Sequence, residues 1–156
     1  MAKQPRSRDG AGRPRNTRPR DSAGRPLTPG APGVEPVAEG VVRTVEQALS
    51  EAQQLLDAGR AFGAHEVLEA MWKQAEDPSD RALWRGMAQL MVGLTHWQRG
   101  NLVGARSLLE RGAQSLDDVD PARPAPLDVE AWRRWGLGAA ADVAAGHDPA
   151  PPPRLS

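Results

Sequence analysis

An internal repeat constrains this chain more than any other feature. Gly59-x-x-x-Gly63-Ala64-x-x-x-Leu68-Glu69 returns as Gly100-x-x-x-Gly104-Ala105-x-x-x-Leu109-Glu110, 41 residues later. Apolar residues at helical spacing precede each first glycine and follow it again. Glycine tolerates the backbone conformation that stops a helix. Each copy therefore reads as helix, stop, helix, and short links make the paired helices antiparallel neighbours. The expectation is an all-α, compact bundle of about five helices, built from two similar tetratricopeptide-like hairpins. Two copies are few for a solenoid, so a further helix is needed to close the bundle.

Proline marks the limits of the bundle. Seven of the 15 prolines lie in residues 1–36, seven in 121–153, and only Pro78 between 41 and 120. Helices are expected at about 41–58, 61–75, 81–99, 102–116 and 129–145, with Ser79 or Asp80 as N-cap of the third and Asp128 of the fifth. The domain reading is a disordered arm (1–38), a helical domain (39–146) and a disordered tail (147–156). Within the domain, 41–116 is the core, 117–127 a linker and 128–145 the closing helix. The chain has no cysteine, which excludes disulfides, thiolate metal sites and a cysteine nucleophile. No apolar run approaches the ~18 residues of a membrane span, and the N-terminus lacks the apolar stretch of a signal peptide. No membrane partner and a cytoplasmic location are expected.

The zero net charge conceals an asymmetry. Residues 1–26 carry eight Lys/Arg against two Asp, and the remainder carries the compensating acidic excess. Within this basic arm Arg8-Asp9-Gly10-Ala11-Gly12-Arg13-Pro14 recurs as Arg20-Asp21-Ser22-Ala23-Gly24-Arg25-Pro26. The Gly-Arg-Pro core is similar to an AT-hook, in which an extended Arg enters the DNA minor groove. Nucleic-acid contact through residues 1–26 is thus one reading, and a plain solubilising arm is the other.

Two helices carry unusual residues. On the third, Leu83, Trp84, Gly86, Met87, Leu90, Met91, Gly93, Leu94 and Trp97 cover about half of the helical wheel. A surface helix needs a stripe of about 100°, so this helix must touch neighbours on two sides. Gly86 and Gly93 imply close approach of another backbone or a ligand, with Gln89 and His96 beside them. On the second helix, Glu69 is flanked by Phe62, His65 and Trp72, and His65 and Glu69 form an i, i+4 pair. The second hairpin keeps the packing residues but has Arg106 and Ser107 where the first has His65 and Glu66.

The segments Phe62 to Glu69 with Trp72, Arg81 to Gln89, and His96 to Ala105 resemble the DUF309 family, small all-helical bacterial and archaeal proteins of unknown function. The resemblance covers about residues 50–116, and the basic arm is similar to the extension of actinobacterial members. It implies His65, Glu66, Glu69, Arg81, Gln89, His96 and Asn101 as signature polar positions, with Arg85 a departure where the family often has Gln. It also carries a label, given to some members, of metal-dependent hydrolase.

Chemistry leaves alternatives open. If the second and third helices are adjacent, His65, Glu66, Glu69, Gln89 and His96 converge. Two imidazoles and two carboxylates suit Zn²⁺, Mn²⁺ or Fe²⁺. A hydrolase would use His65, Glu69 and His96 as metal ligands and Glu66 as catalytic base. The same groups can instead satisfy one another between packed helices, with Gln89 and Arg81 completing a hydrogen-bond network. The leading expectation is a non-catalytic binding or scaffold module with a small-molecule or protein ligand. Trp72, Trp84 and Trp97 are expected in the core.

Overall fold

Thr44 opens the first helix because its hydroxyl accepts from the Gln47 amide while the Gln47 side chain returns to the Thr44 amide, a reciprocal capping box. The computed structural model describes residues 18–156, and α1 spans Val45–Asp57, α2 Ala61–Gln74, α3 Pro78–Gln98, α4 Leu102–Leu116 and α5 Val129–Ala144. Among the described residues the only β features are two isolated bridges near Arg20.

The start of α3 differs from the sequence expectation. Asp77, not Ser79 or Asp80, is the N-cap, accepting from the amides of Ser79 and Asp80. Pro78 follows at the first helical position, where its fixed φ suits the helix and its missing N–H costs nothing. Arg123 of the 117–127 segment pairs with Asp77 and Asp80, and the Asp120 amide bonds Ser79 Oγ, so this linker is pinned to the start of α3. Gly59 and Gly100 adopt φ of +70° and +76° just beyond α1 and α3, the stops the repeat implied. Asn101 and Asp128 cap α4 and α5.

The helices pack in chain order. α1 lies on α2, α2 on α3, α3 on α4 and α4 on α5, so α3 has a helix on each side. Val67, Leu68, Met87, Leu90, Met91, Leu109 and Trp132 are fully buried in one continuous core. Trp84 is buried, while Trp72 and Trp97 pack on the core from its edge. Gly86 and Gly112 set the α3–α4 seam: a β-carbon on Gly86 would lie 3.0 Å from the Gly112 carbonyl oxygen, and one on Gly112 2.9 Å from that of Gly86. Gly93 meets Leu109 of α4 in the same way.

The described parts of both ends, expected as disordered tails, are placed against the bundle. The C-terminal segment is seated. Leu155 is 2% exposed, and its amide donates to Gln53 Oε1 of α1 at 2.7 Å. The indole N–H groups of Trp132 and Trp135 on α5 donate to the carbonyls of Arg154 and Ala150. The tail thus ties α5 back to α1 and gives the two indole N–H groups their acceptors. At the other end residues 18–38 lie against α2 and the end of α3, while residues 1–17, with the first copy of the basic heptad, fall outside the described part. No helix among the described residues is long and apolar enough to cross a membrane.

Candidate functional site

The seam between α2 and α3 opens into a cleft of about 440 Å³ lined by His65, Glu69 and Trp72 from α2 and Arg85, Ala88, Gln89 and Val92 from α3. Helical spacing creates it. His65, Glu69 and Trp72 share one face of α2 at i, i+4 and i+7, and Arg85, Ala88, Gln89 and Val92 share one face of α3.

His65 Nε2 stands 3.6 Å from Glu69 Oε2, and Lys73 Nζ stands 3.4 Å from Glu69 Oε1. The His65 side chain is 18% exposed, and its ring leans on Phe62 at a centroid distance of 5.6 Å. Burial lowers the pKa of His65 below its ordinary value and Lys73 lowers it further, while Glu69 opposes both. The neutral ring that results keeps one lone pair as an acceptor. Gln89 Oε1 accepts from Ser115 Oγ of α4 at 2.6 Å, which fixes the amide from behind. Arg85 is exposed and makes no ion pair or hydrogen bond with the described residues. It is therefore a cation on the wall of the same cleft as a carboxylate, an imidazole and an amide.

The seven signature positions divide into four places. His65, Glu69 and Gln89 meet in the cleft, as expected. Glu66 does not join them. It lies 100° further round α2 and faces the arm, where burial raises its pKa first of all. Arg81 closes the end of α2, donating to the Ala75 carbonyl at 3.0 Å and lying 6.0 Å over the Trp72 ring. His96 and Asn101 form a corner between α3 and α4, His96 Nδ1 to Asn101 Nδ2 being 3.1 Å, with Asn101 Oδ1 accepting from the Gly104 amide. The wheel put His96 beside Gln89 but hid their separation of about 10 Å along the axis. The expected convergence of His65, Glu66, Glu69, Gln89 and His96 is corrected on these grounds. Among the described residues no three His, Asp or Glu side chains gather as metal ligands. The set His65, Glu69 and His96 thus does not fit a Zn²⁺, Mn²⁺ or Fe²⁺ centre.

Sequence reasoning missed a second place, beside the cleft and centred on Phe62, whose ring touches that of His65. The ring of Phe62 lies between the guanidinium groups of Arg20 and Arg99, at 4.9 and 5.5 Å. Arg99 Nε donates to the Ala23 carbonyl at 2.9 Å, and Arg60 reaches the Glu35 carbonyl. The arm and α2 enclose a cleft of about 600 Å³. The signals in the sequence were Phe62, the chain's single phenylalanine, and the repeated basic heptad.

Residues 49–108 match the family described as Domain of unknown function (DUF309). The Uncharacterized protein YpuF of Bacillus subtilis (strain 168) is 36% identical over 55 residues, 35% of this chain and 32% of the relative. The chain thus spans about a third of the length of that curated relative. No solved structure matches.

Proposed function

We propose that this chain, which carries a DUF309 domain at residues 49–108, is a non-catalytic binding module whose α2–α3 cleft takes a small aromatic carboxylate. The observation that carries the reading is Arg85, a guanidinium on the cleft wall without a partner among the described residues. A guanidinium presents paired N–H donors that match a carboxylate's two oxygens. Trp72 offers an apolar face to a flat ring, and Ala88 and Val92 supply apolar wall. His65 and Gln89 add directional hydrogen bonding beside them. Glu69, already shared between His65 and Lys73, repels a second anion from the far end and so orients the ligand toward Arg85. His65, Glu69 and Gln89 are accordingly ligand-binding residues, whereas Arg81, His96 and Asn101 hold helix ends. No hydrolytic step is assigned, since the donors fit no metal. The cytoplasm is the assigned compartment, which cell fractionation checks.

Saturation-transfer NMR on the full chain with benzoate, nicotinate and succinate tests this reading. An aromatic member should bind, and Arg85→Ala should weaken it ten-fold or more. Absence of binding by all three, or equal binding by Arg85→Ala, overturns it.

A further inference from the structure

The corner formed by Phe62 and Arg99 holds one copy of a heptad that the chain contains twice, and the contacts it makes are those the two copies share. In the described copy, residues 20–26 form a tight turn. Asp21 N donates to Arg25 O at 3.0 Å, Gly24 N to Asp21 O at 2.9 Å, and Arg25 N to Asp21 Oδ1 at 2.8 Å. Arg20 Nη1 closes the turn on the Gly24 carbonyl at 2.6 Å and lays its guanidinium over Phe62. Ala23 supplies the carbonyl that Arg99 Nε binds.

Gly24 is required twice over. Its φ is +75°, and a β-carbon there would lie 2.4 Å from Phe62 Cγ and 2.8 Å from Arg99 Nη2. Every residue in these contacts recurs twelve positions earlier as Arg8, Asp9, Ala11, Gly12 and Arg13. The one difference, Gly10 for Ser22, falls where the docked turn is exposed and makes none of these bonds.

We propose that the Phe62–Arg99 corner is a docking site for Arg-Asp-x-Ala-Gly-Arg-Pro turns, and that residues 8–14 of the same chain are an alternative ligand for it. This goes beyond the cleft reading and does not depend on it, since the turn binds Phe62 and Arg99, neither of which lines the cleft. In the structure residues 20–26 are the resident ligand, and they are also held outside the heptad, as by Val34 N donating to Arg20 O. Replacing them within one chain lengthens the tether by twelve residues, and loop-closure entropy grows slowly with length.

The single phenylalanine makes the test direct, because fluorophenylalanine labelling gives one ¹⁹F resonance, that of Phe62. In the full chain Gly12→Val should leave the resonance in place. Gly24→Val should keep it near the wild-type position, because residues 8–14 take over. Gly12→Val with Gly24→Val together should move it to that of an uncovered ring. A synthetic peptide of residues 6–15 added to this double variant should restore it. A Gly24→Val resonance closer to the double variant than to wild type overturns the proposal. So does a double variant indistinguishable from wild type, or a peptide without effect.

Discussion

Gly24 packs against the ring of Phe62 with no room for a side chain, so one turn of the basic arm is held to α2 by the fit of a missing β-carbon. Arg20 and Arg99 stack on the same ring from the arm and from the end of α3. Two cations on one ring repel each other, and Arg20 together with burial lowers the pKa of Arg99. The ring and the Ala23 carbonyl are what offset that repulsion.

Phe62→Ala should therefore release the arm without unfolding the bundle. Trypsin cleavage after Arg20 should accelerate ten-fold or more, while the helical circular dichroism signal stays within a few per cent of wild type, since local opening is independent of the global transition. Unchanged cleavage would mean that Phe62 does not hold the arm.

Glycine substitutions should separate by their surroundings. Alanine gains about 1 kcal/mol over glycine within a helix. At Gly86 or Gly112 it must also force apart two backbones, an overpacking that costs about 1–3 kcal/mol. Gly86→Ala and Gly112→Ala should lower Tm by several degrees. Gly138→Ala on α5, with nothing within 4 Å, should raise it. Thermal unfolding followed at 222 nm distinguishes the three.

The tail supports the core. Leu155→Ala removes a nearly fully buried side chain and should cost about 2 kcal/mol or more. Deleting residues 149–156 should do at least as much and shift tryptophan emission, because the Trp132 and Trp135 indoles lose their carbonyl acceptors. A Tm and an emission maximum unchanged by the deletion would contradict the docking of the tail.

What the sequence revealed follows from the range of each interaction. Gly59 and Gly100 act on their own helix ends, and Gly86 and Gly93 sit in an apolar arc too wide for one neighbour, so local pattern exposed them. His65 and Glu69 are one turn apart and were legible for the same reason. Leu155 and Gly24 take their meaning from Gln53 and Phe62, which no local pattern connects to them. A proline-rich tail and a basic arm each look unstructured until those distant partners are placed. Arg85 stood out as a departure from the pattern of the family the chain resembles, but its lack of a partner among the described residues required the neighbouring helix.

Protonation of His65 provides a check on the cleft's electrostatics. Its folded pKa lies below the ordinary 6.5, chiefly through burial. A base with a depressed folded pKa binds protons more readily when unfolded. Its contribution to stability is complete above about pH 6.5 and declines as pH falls toward the folded pKa. In NMR titrations Lys73→Met should raise the His65 pKa and Glu69→Gln should lower it further. Shifts of the opposite sign would mean that Lys73 and Glu69 do not act on the His65 ring.

Chemical-shift mapping of the aromatic carboxylate that binds best tests the central claim most directly. With isotope-labelled full chain, the account predicts perturbation of the Trp72 indole N–H, the His65 ring and the Gln89 side-chain amide, all lost in Arg85→Ala. Perturbation confined to Trp132 and Trp135, or no perturbation at saturating ligand, would contradict it.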